Sequence, residues 1–265
     1  MAVVTDLTVG DYWDQLPQYS KQASELGVSI NSAYKAATLY YQQGLKGNEV
    51  TKIAAETMKM ATIAGIDTAE ATDKMTAALR GFNMELNEAS AQKISDVYSE
   101  LAAITAADVD EISTAMTKTA SIASSAGMEF ETTAAFLSQI IETTRESAET
   151  AGTAMKTVIA RFQELKKDPS EIGEIDGEIV DANAIETALR SVGVSLRDAS
   201  GQFRNLDEVF MELSGKWNTL DKNTQRYIAT IAAGSRQQSR FIAMMQDYSR
   251  TQELVTAANN SVGAS

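Results

Sequence analysis

Along most of this chain, apolar residues recur every three or four positions, the period of a helix with one buried face. Ile53, Met60 and Ile63 form one such stripe, and Ala71, Met75 and Leu79 form the next. Ile112, Met116, Thr119, Ile122, Ala123 and Ala126 make a third, ahead of Gly127. The pattern predicts helices over about 49–64, 68–81, 87–103, 106–125, 130–146 and 151–166. Helices resume after 205 with Val209, Phe210, Leu213 and Trp217, then over about 222–233 and 235–256. Upstream, residues 11–42 hold Leu26, Ile30, Ala33, Ala37 and Tyr40 at helical spacing, with Gly27 offsetting the register.

Polar residues and glycines punctuate these stripes. Asp67-Thr68-Ala69-Glu70, Thr105-Ala106-Ala107-Asp108 and Asn205-Leu206-Asp207-Glu208 each have the form of a capping box, a short acceptor followed three residues later by a carboxylate. Asn48 reads as the cap after the turn GLKGNEV, and Gly65, Gly81, Gly127 and Gly193 read as helix stops. Short amphipathic helices joined by short loops predict an all-α fold, a multi-helix array of packed helical hairpins. A weak repeat at an offset of 62 residues aligns 60–79 with 122–141, setting Gly65 on Gly127 and Leu79 on Ile141.

The texture changes over 167–204, which holds Pro169 and short β-branched runs. EIDGEIV reads as a hairpin turning at Asp176-Gly177, and VSLRDASGQFR as a second one using Gly201. The organisation expected is an N-terminal helical segment (1–48) and a helical-hairpin core (49–166). A β-hairpin insertion near 172–204 lies within the irregular stretch 167–204, followed by C-terminal helices (205–258) and a frayed tail (259–265).

Composition removes chemistry more than it adds any. The chain has 265 residues, two prolines, no cysteine and no histidine. Disulfides, thiolate nucleophiles, Cys/His zinc sites and imidazole-based triads are thereby excluded. A net charge of -13 disfavours nucleic acid and anionic membranes as partners, since phosphate contacts need clustered cations. The first residues show no signal-peptide pattern, and no apolar run approaches the ~20 residues of a transmembrane helix.

The remaining candidates are weak. EIGEIDGEIVD puts five carboxylates in eleven residues but lacks the alternating oxygens of a calcium loop, so it reads as a solvated hairpin. AGSRQQSR (233–240) sets a glycine and two arginines at a helix start, a possible anion cradle that reads better as helix packing. Asp108/Asp110/Glu111 and Glu129/Glu131 diverge at helix starts, where negative charge suits the dipole. No catalytic, metal or cofactor residue is expected, and the chain reads as non-enzymatic. Small-residue stripes permit close backbone approach or self-association. Gly152, inside the strong helix former ETAGTAMKTVIARFQEL, would cost roughly 1 kcal/mol against alanine unless the missing side chain is used. It is read as a packing residue at a tight start of that helix.

The order of motifs resembles phage tail tape measure proteins, in the core region shared by those of phages and prophages of Gram-positive bacteria. QQGLKGNEVTKIAAETMKMATIAGIDTAEATDKMTAALRGFNM and ASSAGMEFETTAAFLSQIIETTRESAETAGTAMKTVIARFQEL carry it. ALRSVGVSLRDASGQFRNLDEVFMELSGKW and AAGSRQQSRFIAMM follow, spanning about 40–247 in all. Gly65, Gly127, Gly152, Gly193, Gly201 and Gly234 mark its structural signature. The resemblance implies a structural protein of the virion tail, made in the host cytoplasm and acting in tail assembly and length determination. The partners it implies are the protein itself as a homo-oligomer, tail-tip or tube proteins and assembly chaperones. Fully helical, 265 residues would span roughly 400 Å, short for a ruler. The chain therefore reads as one folded region of a longer protein. The alternative is a non-enzymatic helical adaptor or scaffold module binding a partner protein.

Overall fold

Helix follows helix through turns of a few residues, so each must fold back on its predecessor. The computed structural model describes residues 9–164, 173–175, 178–180 and 182–265. One layer holds α2 (Ile30–Gln42), α4 (Thr68–Gly81), α6 (Val109–Ser125) and α8 (Ala148–Gln163). The other holds α1 (Val9–Glu25), α3 (Asn48–Ala64), α5 (Glu88–Ile104) and α7 (Phe130–Thr144). From α1 to α8, each helix packs on the one before it across the layers and on the one two before it within its own layer. This is a stack of hairpins in which each unit buries the apolar stripe of its neighbours.

The far end is built by α9 (Ala182–Ser191), α10 (Leu206–Trp217), α11 (Lys222–Met245) and α12 (Tyr248–Asn259). α11 extends the first layer by packing on α8, whereas α12 turns back onto α7 and α5. As a result α7 is enclosed: every residue from Phe130 to Ile141 is buried. Phe210 of α10 meets Phe136, Phe162 and Phe241 edge-on, with ring centroids 6.1, 5.1 and 6.5 Å away. Trp217 joins the group against Phe241 at 5.9 Å. These rings lock α7, α8, α10 and α11 together.

The fold is all-α. Gly173–Ile175 (β1) and Glu178–Val180 (β2) pair antiparallel, and the dipeptide between them lies outside the described residues. VSLRDASGQFR makes no second hairpin, only a single bridge between Arg197 and Phe203. The Asp198 carboxylate takes the amides of Ser200 and Gln202 at 2.8 and 3.0 Å, so these donors are spent in a local turn. With α9 lying between six paired residues and one bridge, a β-hairpin insertion over 172–204 is not supported.

Several expected boundaries move. Gly27 splits 11–42 into α1 and α2, and α1 runs through Pro17. Gly47 takes the cap position of α3, leaving Asn48 in its first turn. Thr105 bonds back to the Leu101 carbonyl and closes α5, and the capping box of α6 is formed instead by Asp108 and Glu111. Asp67 caps α4 through the Ala69 amide, with no reciprocal bond from Glu70. Ser147 caps α8 three residues earlier than expected, which places Gly152 inside the helix rather than at its start. Asn205 caps α10 without a side-chain bond. The stretch 235–256 is not one helix: it breaks between Met245 and Tyr248.

The tail expected to fray is docked. Ser261 is buried, and the Asp96 carboxylate accepts the amides of Gly263 and Ser265, each at 2.9 Å. The 62-residue offset superposes α3 on α6 and α4 on α7, which sit in opposite layers. Successive helices of one layer, beginning at Thr68, Val109 and Ala148, are instead about 40 residues apart.

Candidate functional site

Two glycines bring α4 and α8 into close contact with α6, one on each side. Gly81 at the end of α4 faces Ala120, and a Cβ there would stand 2.4 Å from the Ala120 Cβ. On the other side, a Cβ at Gly152 of α8 would lie 2.5 Å from the Ala115 carbonyl oxygen and 2.9 Å from its Cα. Real side chains do not occupy such distances, so both glycines are required for these helices to touch. Thr119 Oγ1 donates across the seam to the Gly152 carbonyl at 3.1 Å. Gly81 was legible only as a helix stop; its contact with Ala120 comes from the stacking.

The other signature glycines serve different purposes. Gly65 is the left-handed C-cap of α3, its φ of 69° reached without strain, and its amide donates to the Ala61 carbonyl. A Cβ at Gly127 would strike the Asn205 amide oxygen at 2.3 Å. Beside it, the Leu206 amide donates to the Ala126 carbonyl at 3.1 Å and the Glu129 amide to Asp207 at 3.2 Å. The α6–α7 turn thus docks on the start of α10, and burial pushes the Asp207 carboxyl above its ordinary range. The Gly193 carbonyl accepts from the Lys216 ammonium, and Gly201 closes the Asp198 turn in open space.

Gly234 interrupts α11 with a φ of 74° and a ψ of 169°. Carbonyls just before such a break lose their helical donors. One of them, Ile231, accepts from the buried Arg161 Nε and Nη2 at 3.2 and 3.1 Å. In the same motif Arg240 is clamped by both oxygens of Glu146, at 2.6 and 2.7 Å. That ion pair takes the guanidinium edge an anion would need, so AGSRQQSR is a packing element here.

Carboxylates singled out in the sequence are likewise paired. Asp110 and Glu70 both hold the buried Lys74 ammonium, Glu70 at 2.8 Å, and Glu131 pairs with Lys93 at 2.5 Å. Burial opposes the charge on Lys74, but these two partners hold its pKa above the usual lysine value. Much of EIGEIDGEIVD lies outside the described residues. Among the described residues no cluster of ligating side chains is placed to hold a metal ion, and no helix is long and apolar enough to cross a membrane. A crevice between α7, α8 and α11, lined by Ile140, Ala154, Met155, Val158, Arg240, Phe241 and Met244, has no room for a water-sized molecule. Ligand pockets run to several hundred Å³.

Structure and chemistry therefore converge on packing. No solved structure matches the chain. The tape measure protein of Pneumococcus phage Dp-1 is 26% identical over 204 residues, covering 76% of this chain. The match spans 16% of that relative's length. The profile described as "Phage-related minor tail protein" matches residues 18–234, nearly the whole helical array. The chain belongs to the phage-related minor tail protein family.

Proposed function

We propose that this chain is a folded region of a tape measure protein, acting in the assembly of a phage tail and in setting its length. The family gives a structural role in the virion tail, and the likeness to a named tape measure protein over 204 residues carries the finer reading. Because that relative is several times longer, the chain acts as one module within a longer molecule. Its assembly partners are further copies of itself, tail-tip or tube proteins and assembly chaperones. A stack of hairpins with paired charges and tightly packed small residues suits such a role better than chemistry on a substrate.

The test is an in-frame deletion of the sequence encoding 18–234 in a phage that carries it, with tails measured by electron microscopy. Shortened tails, or heads without tails, are expected. Tails of parental length on infectious particles would rule the reading out. Hairpin arrays also present extended binding faces, which supports the second reading, an adaptor binding one partner protein. That reading predicts tails of normal length lacking one protein by mass spectrometry.

A further inference from the structure

We infer that the outer face of α4, α6 and α8 is a docking surface for one helix of a partner protein, a helix with carboxylates along one edge and Lys or Arg along the other. The inference rests on the geometry of the array, and it says where a partner binds and what that partner presents. It does not depend on any role in tail length, so either reading can fail alone.

Three helices of one layer repeat a single pattern. Asp73, Thr76, Ala77 and Arg80 of α4 have the spacing of Glu111, Thr114, Ala115 and Lys118 in α6, and of Glu149, Gly152, Thr153 and Lys156 in α8. Each set begins 38 residues after the one before. Seven residues make two helical turns, so acid and base share a stripe about 10.5 Å apart, too far to pair with each other. Asp73, Arg80, Lys118, Glu149 and Lys156 are exposed, whereas Glu111 is half-buried and spends one oxygen on the α6 cap. The glycine contacts set the helices level. A Cβ at Gly81 meets Ala120, and one at Gly152 meets the Lys118 Cβ at 3.0 Å as well as Ala115. The three sets are thereby aligned to within about one turn, and an acidic row and a basic row cross the face.

The basic row is what a merely solvated face does not explain. With 36 Asp and Glu against 23 Lys and Arg, carboxylate partners are plentiful in this chain. Elsewhere in helices α3 to α8 every cation is engaged. Lys52 pairs with Glu88, Lys59 with Glu56, Lys74 with Asp110 and Lys93 with Glu131, while Arg161 serves the Ile231 carbonyl. Among the described residues, Arg80, Lys118 and Lys156 are the cations of these helices that meet neither a carboxylate nor a carbonyl.

Between the rows the floor is made of small side chains, with Ala115 and Gly152 buried in it. A strip about 10.5 Å wide has the breadth of one α-helix. Packed helices stand about 8–10 Å apart, so the charges of each row are spaced much like residues seven apart on a helix lying across them. Opposite signs on its two edges fix which way round that helix lies. The same arrangement selects against nucleic acid, since a phosphate chain on the basic row would run about one Debye length from three carboxylates.

A synthetic helix of Ala and Gln tests this, with Glu at every seventh residue on one edge and Lys at every seventh residue on the other, three of each. Added to the isotope-labelled full chain at low salt, it should shift amide NMR signals of α4, α6 and α8 only. An exposed ion pair contributes about twofold, so a peptide of equal composition with its charges shuffled should bind about tenfold more weakly. Arg80→Glu with Lys118→Glu and Lys156→Glu should weaken binding of the patterned peptide by a similar factor, and a peptide with Lys on both edges should recover it. Circular dichroism checks folding, and Gln at the same three positions serves if the Glu variant does not fold. No binding of the patterned peptide overturns the inference, as do equal binding of the shuffled one and binding indifferent to the three substitutions. A short DNA duplex is titrated alongside; if it binds this face as tightly as the peptide, the row is an anion site and the inference falls.

Discussion

Gly152 and Ala115 are in backbone contact: where a Cβ would sit on the first, the carbonyl oxygen of the second lies 2.5 Å away. Gly152→Ala would raise intrinsic helix propensity, yet the neighbour that must give way is main chain. The substitution is expected to destabilise the fold by about 1–3 kcal/mol, as overpacking does. Gly215→Ala is the control, because its Cβ would meet nothing closer than 3.6 Å, from the Tyr248 ring. It should stabilise by up to about 1 kcal/mol. Thermal and urea unfolding of the two variants should move in opposite directions, and parallel shifts would refute the account.

The broken helix gives a second expectation. Arg161→Met keeps much of the side-chain volume but removes the donors to the Ile231 carbonyl ahead of Gly234. A buried carbonyl left without a partner costs about 1–3 kcal/mol. Urea unfolding of Arg161→Met should show that loss, and an unchanged midpoint would mean that the break at Gly234 needs no external donor.

Lys74 supplies a third. Asp110→Ala leaves its ammonium with Glu70 alone, and a loss of about 1–2 kcal/mol is expected, reduced from the buried-pair range because Asp110 is partly exposed. Lys74→Met should be better tolerated than Asp110→Ala, since it removes the buried charge together with its need for partners. Chemical denaturation of both variants checks the order.

Asp96 gives the chain an acid-sensitive contact. Burial raises its pKa, but hydrogen bonds from Ser265 and the Gly263 amide outweigh that and hold it below the usual carboxylate value. A folded-state pKa lower than the unfolded one stabilises above the unfolded value, and that stability is lost as pH falls through the folded value. Between neutrality and about pH 3 the parent chain should therefore lose more stability than Asp96→Asn, which already lacks the charge. Urea titrations across that range should show the two curves converging; curves that stay parallel would exclude the contact.

What the sequence displayed was local: apolar stripes, the Gly65 and Gly127 stops, and a small residue at 152 where only a small residue fits. What it hid was non-local. No neighbour in sequence tells Asp96 that it will bind amides at 263 and 265, or tells Arg161 that it will serve a carbonyl at 231. The corner at 246–247 carried one local signal, the Asp247 cap, while the other donors that hold it lie on α7 and at the end of α10. Capping boxes were displaced where a second acceptor competed, as Thr105 did by turning back on α5.

The enclosure of α7 sets an order of events during synthesis. Its last wall, α12, leaves the ribosome roughly a hundred residues after α7 itself, so Gln139 must wait for Thr251 while α8 to α11 are laid down. For that interval the nascent array carries an open seam along α5 and α7. A helper that shields this seam, or a slow stretch of translation after α12, would raise the yield of correctly closed chains.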